Sequence, residues 1–98
     1  MSTYFIANIR IHDRQEYDKY LSSVDEVFAK FNGKYLAVDE QPSVLEGAWN
    51  YTKAVLIEFP SEKDLRAWYE SEEYQQILKY RLQGAQCDAI LVHGHAKY

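Results

Sequence analysis

The sequence predicts an α+β fold with the order β-α-β-β-α-β: a four-stranded antiparallel sheet with two helices on one of its faces. Three observations carry this. The segments "TYFIANIRI", "TKAVLIEF" and "DAILVHGH" alternate with a period of two. Two other segments, around Tyr17–Phe31 and Leu65–Leu82, carry apolar residues at spacings of three and four. Asp13, Ser61 and Ser71 stand where helix N-caps belong.

In the first strand, residues 3–11, Phe5, Ala7, Ile9 and Ile11 share one face, and Tyr4, Ile6, Asn8 and Arg10 share the other. Asp13 with Glu16 reads as a capping box. It opens a helix whose buried stripe is Tyr17, Tyr20, Leu21, Val24, Val27, Phe28 and Phe31. Asn32-Gly33 ends this helix, with Gly33 suited to a left-handed C′ position. "KYLAV" is a second strand, "DEQPS" a turn and "VLEGAW" a short extended piece. In the third strand Val55, Ile57 and Phe59 face one way, and Ala54, Leu56 and Glu58 the other. Pro60 stops the ladder. Ser61 with Asp64 caps the second helix, which carries Leu65, Trp68 and Tyr69. Ser71, followed by Glu72 and Glu73, reads as a second cap, so this helix breaks or bends there before the stripe Tyr74, Ile77, Leu78, Arg81 and Leu82. Gly84 ends it, and residues 88–95 form the last strand, with Ile90 and Val92 opposite Leu91, His93 and His95.

The 98 residues are read as one domain, 1–98. A net charge of −4 without a Lys/Arg cluster argues against nucleic acid as a partner. No apolar run approaches membrane-spanning length, and the N-terminal stretch alternates rather than forming a secretory leader. With Cys87 as the single cysteine, the expected location is the cytoplasm. Nine tyrosines are the unusual feature of the composition, because Tyr is favoured at interfaces and pocket walls.

Two helices cover one face of such a sheet. The uncovered face is expected to carry Asn8, Arg10, Glu58 and His93 among apolar neighbours. That mixture predicts a homodimer packed sheet to sheet.

"LEGAW", "EFPSEKDLRAWYESEEYQQI", Arg81 and Asp88 resemble the "domain of unknown function 1330" family, and the resemblance spans essentially the whole chain. That family is similar to the dimeric α/β-barrel superfamily, in which ferredoxin-like subunits pack sheet to sheet around an internal pocket. The superfamily includes cofactor-free oxygenases, lactone isomerases and haem enzymes. The sequence departs from the family at Asn32, where a second glycine is common, and near His93, where a carboxylate is frequent.

The resemblance implies a small organic ligand and chemistry without a bound cofactor, of isomerase or oxygenase type. Glu58 or Glu46 would act as base and His93 as proton partner, with Arg10 as an anion or carbonyl clamp beside Asn8. Tyr17, Trp68 and Tyr69 would be pocket walls, and Trp49 a lid or interface anchor. Each assignment has a plainer alternative. Arg10 and Glu58 also read as a cross-strand ion pair, Glu46 as a turn residue before Gly47, and Trp68 and Tyr74 as core. Cys87 reads as a buried, inert thiol without a cationic neighbour in sequence. His93 and His95 with His12 are a weak metal constellation, and no metal is expected. The rival functions are a non-catalytic small-molecule-binding or stress-related dimer and a purely structural dimerisation module.

Overall fold

A computed structural model describes residues 1–95. Its elements are β1 (Thr3–Ile11), α1 (Arg14–Phe28), β2 (Lys34–Asp39), β3 (Lys53–Phe59), α2 (Glu62–Tyr69), α3 (Glu72–Gly84) and β4 (Ala85–His93). The sheet order is β2-β3-β1-β4, and every neighbouring pair is antiparallel. This is the expected ferredoxin-like arrangement, with the second helix divided in two. Among the described residues no helix is long and apolar enough to cross a membrane.

The caps act as the sequence predicts. Asp13 accepts from the Glu16 N–H, Ser61 from Asp64 and Ser71 from Tyr74. Ser71 also donates to the Trp68 carbonyl, so a single hydroxyl closes α2 and opens α3. Ser71→Ala is expected to lower stability by about 1 kcal/mol, measured by urea melts. An unchanged or raised midpoint would show that the break does not depend on this cap.

The core lies between the helices and one sheet face. Phe5, Ala7 and Ile9 of β1, Ile57 and Phe59 of β3, and Ala85 of β4 meet Tyr17, Tyr20, Val24, Val27 and Phe28 of α1, and Leu65, Trp68, Tyr74 and Leu78 of α2 and α3. Trp68 and Tyr74 are therefore core residues, as their helical spacing suggested.

Several expectations are corrected. α1 stops at Phe28, so Phe31 packs on the core from beyond the helix. Gly33 does not have a positive φ. A Cβ there would lie 2.5 Å from the Phe28 ring and 2.7 Å from Phe59, so close ring packing is what requires glycine. "VLEGAW" lies in the loop between β2 and β3 and forms no strand. β4 begins at Ala85, directly after α3. β2 is an edge strand, exposed throughout and bulged between Tyr35 and Ala37.

Candidate functional site

Register decides which residues can meet. On β1, Tyr4 stands opposite Glu58, and Asn8 opposite Ala54. Arg10 is therefore about 20 Å along the strand from Glu58 at ~3.3 Å per residue, and the expected Arg10–Glu58 pair does not form. Arg10 instead donates to Gln86, and Glu58 accepts from Ser2 and Tyr4.

His93 pairs with Thr3, a buried residue, and so belongs to the helix-covered side of β4, not to the face of Asn8, Arg10 and Glu58. It is exposed, and its ring meets Glu62 at the start of α2 at 2.8 Å. Both faces of β4 are apolar enough, Ala89 and Leu91 against Ile90 and Val92, for its phase to be misread.

The uncovered face is nonetheless mixed, as expected. Ala37, Leu56, Ile6 and Ile90 form one apolar row across all four strands. Polar rows flank it: Lys34, Glu58, Tyr4 and Val92 on one side, and Asp39, Ala54, Asn8 and Asp88 on the other. Tyr51 donates to Asp88, and Trp49 packs edge-on against Tyr51 with ring centroids 5.1 Å apart. The β2–β3 loop thus lays an aromatic pair beside Asp88, the cross-strand neighbour of Asn8. Glu46, in the same loop, is exposed next to Gly47, whose φ is +82°.

A cavity lies elsewhere, on the helix side. It has a volume of about 460 Å³ and sits between α1 and the β1–β3–β2 part of the sheet. Its walls are mostly apolar or aromatic, with Phe5, Ile57, Val24 and Trp68 at the core side and Tyr35 and Val38 of the edge strand at the rim. Its polar groups are Tyr17, Tyr20, Asp25, Lys53 and Arg81. Of the residues read from sequence, Tyr17 and Trp68 line it. Glu46, Glu58, His93, Arg10, Asn8 and Trp49 do not. Tyr69 lines a smaller hollow of about 200 Å³ against Leu65, Ala89 and Leu91.

Lys53 and Arg81 are each only 4 % exposed. The Lys53 ammonium donates to the Tyr17 hydroxyl at 3.0 Å and lies 4.8 Å from the Tyr17 ring centre. Arg81 lies over the Tyr20 ring at 5.7 Å and donates to the Cys87 sulfur. Tyr20 in turn shares a 2.8 Å hydrogen bond with Tyr74, tying α1 to α3. Arg14 at the start of α1 pairs with Glu40 just after β2 at 2.9 Å, which links the helix to the edge strand. Burial pushes the Cys87 thiol up despite Arg81, the cationic neighbour that sequence adjacency did not reveal.

Burial also sets the proton chemistry. It lowers the Lys53 pKa, against the opposing pull of Glu40. It pushes the Tyr17 hydroxyl up to about 12, with Arg81 working the other way. Tyr20 and Tyr74 are raised for the same first reason. Between pH 10 and 12 the unfolded chain releases the Tyr17 proton while the folded chain keeps it. The stabilisation is therefore complete below pH 10 and disappears as pH rises through 12. It amounts to about 3 kcal/mol for this one group, at ~1.4 kcal/mol per unit. Lys53 contributes with the opposite sign, since its burial penalty is relieved as pH climbs to its ordinary value near 10.5. Urea melts across pH 9–12 are expected to show a fall in stability above pH 10 that Tyr17→Phe makes shallower. An equal slope in both proteins would refute the assignment.

A family model described as "Domain of unknown function (DUF1330)" matches residues 2–95. Solved structures share the fold at low identity. A protein of unknown function from Rhodopseudomonas palustris is 16% identical over 97% of this chain and 83% of that one, with a TM-score of 0.78. A dimeric ferredoxin-like protein of unknown function from Jannaschia sp. CCS1 is 10% identical over 96% and 100%, with a TM-score of 0.77. SnoaB, a cofactor-independent oxygenase from Streptomyces nogalater, is 11% identical over 98% and 95%, with a TM-score of 0.66. No curated protein matches the chain.

Proposed function

The chain belongs to the DUF1330 family, and we propose that it works as a cytoplasmic homodimer of single-domain subunits, each taking a small organic molecule into the cavity between α1 and the sheet. One observation carries this: a 460 Å³ cavity with apolar and aromatic walls and a few buried polar groups, Lys53 and Tyr17 foremost. Its volume is in the range of small-molecule sites, and this combination of walls and fixed polar groups is what such sites use to hold and orient a ligand.

The dimer rests on the uncovered face. Ile90 there is 58 % exposed, and the row Ala37–Leu56–Ile6–Ile90 runs the width of the sheet with polar rows on both sides. A second copy laid on this row would cover it, and a structural neighbour of the same fold is described as dimeric. Asn8, Arg10, Glu58, Trp49 and Tyr51 then belong to the subunit interface and its rim.

A cofactor-free enzyme is the catalytic form of the same reading. Lys53 and Tyr17, hydrogen-bonded and buried, are the polar pair that would orient a substrate inside the cavity, with burial lowering the lysine pKa. The likeness to SnoaB is one of fold and supports this by analogy only.

Native mass spectrometry of protein from its own cells tests the reading. The expected result is a dimer retaining one small organic molecule per subunit, and Val24→Trp, which fills the cavity, is expected to lose the molecule but not the dimer. Wild-type protein that is monomeric at micromolar concentration would refute the interface. A ligand-free dimer that also ignores a library of aromatic and carbonyl compounds would leave the structural dimerisation module as the function.

A further inference from the structure

Lys53 and Arg81 are two buried cations on the cavity wall, and Glu40 and Asp25 pull on Lys53 without contacting it. Among the described residues, neither Lys53 nor Arg81 has a carboxylate oxygen within 4.0 Å, whereas seven surface contacts do meet that distance. The Arg81 Nε is buried without a hydrogen-bond partner. Asp25 is the one carboxylate on the cavity wall among the described residues, but it is exposed and accepts from Tyr35 at 3.2 Å. Removing an ammonium and a guanidinium from water costs several kcal/mol each unless a counter-charge is supplied. The tyrosine rings and hydroxyls beside them offset only part of that cost. A ligand that carries a negative charge would supply what the cavity wall lacks.

Lys53 lies over the Tyr17 ring and Arg81 over the Tyr20 ring, and these two rings are neighbours with centroids 5.8 Å apart. Lys53 reaches the cavity from β3 and Arg81 from α3, and the other walls are mostly apolar or aromatic. That geometry suits a molecule with an aromatic or alicyclic body and a single anionic head.

We propose that the ligand of this cavity is a small aromatic or alicyclic carboxylate, its anionic group held by Lys53 and its ring lying against Phe5, Val24, Ile57 and Trp68. This inference rests on the cavity being the ligand site. Lys53 then fixes the orientation of the ligand as well as its charge, because its ammonium is already held in place by the Tyr17 hydroxyl. Arg81, elsewhere on the same wall, adds a positive charge that no change of pH in the physiological range removes.

The test compares two probes of the same shape, 1-naphthoate and 1-naphthamide, by isothermal titration calorimetry at pH 7. Wild-type protein is expected to bind the carboxylate at least tenfold more tightly than the amide. Lys53→Met, which keeps the length and apolar stem of the side chain, is expected to reduce the preference below threefold. Lys53→Arg, which keeps the charge, is expected to preserve it, and circular-dichroism melts confirm that both variants fold. Equal binding of the two probes to wild-type protein would overturn the carboxylate assignment and leave the cavity as a neutral-ligand site. A preference that survives in Lys53→Met would overturn the role of Lys53. Absence of binding by both probes up to millimolar concentration would sink the inference together with the cavity reading beneath it.

Discussion

Trp68→Ala is expected to destabilise the protein by about 4 kcal/mol, the range for emptying a large aromatic site in a packed core. The indole is 1 % exposed. It contacts Phe5 and Phe28 edge-on at 5.2 and 5.7 Å, stacks on Phe59 at 5.4 Å, and meets Tyr74 at 4.4 Å. It thus joins β1, α1, β3, α2 and α3 at one point, and no single neighbour can move in to fill the space without leaving another contact. A domain of this size typically has about 5–15 kcal/mol in hand, so the variant is left marginal. Trp68→Phe separates packing from polarity. The Trp68 Nε1 is buried without a partner, so phenylalanine removes an unsatisfied donor while keeping most of the ring. Its expected loss is only about 1–2 kcal/mol. Urea denaturation of the three proteins decides. A loss under about 1 kcal/mol for alanine would show that Trp68 does not anchor the core.

The fold was legible because its signals are local and consistent. The alternation of Phe5, Ala7 and Ile9, the caps at Asp13, Ser61 and Ser71, and the aromatic stripe through Trp68 and Tyr74 each specify an element without reference to the rest of the chain. The site was less legible, because it depends on register and on phase. Arg10 and Glu58 share a face, but nothing in either strand alone says how far the two are shifted along each other, and the antiparallel pairing places them at opposite ends. His93 lies on the face opposite to the expected one, because β4 has two apolar sides and its alternation does not fix the phase. Glu46 sits in a loop with no periodicity to locate it.

The residues that do define the cavity had a signal, although a quiet one. Lys53 is in phase with Val55, Ile57 and Phe59 on the buried side of β3. Arg81 falls in the buried stripe of α3, one turn after Leu78. A cation in an apolar phase is usually an error of phase or an end residue. Here both are buried, and both line the cavity.

Gly84→Ala is expected to cost about 3 kcal/mol and to disturb the cavity along with the fold. Gly84 does not have a positive φ, so backbone conformation does not demand glycine at this position. Contact does. A Cβ would lie 2.5 Å from the Tyr17 backbone nitrogen, 2.8 Å from the Asp13 carbonyl oxygen and 3.0 Å from the Tyr17 Cα. All three are main-chain atoms, which cannot swing aside as a side chain does. The Gly84 carbonyl also accepts from the N–H groups of His12 and Asp13, so the end of α3 is clamped to the start of α1. Alanine must either push the first turn of α1 away, loosening these two hydrogen bonds, or shift the α3–β4 junction. Both moves displace Tyr17, whose hydroxyl holds Lys53. The variant is therefore expected to lower the urea midpoint and, where it still folds, to weaken binding of the aromatic carboxylate. Ser71→Ala serves as the control: it removes a cap far from this junction, costs about 1 kcal/mol, and should leave binding intact. If Gly84→Ala matched Ser71→Ala in both stability and binding, the α1–α3 clamp would have no part in positioning Tyr17.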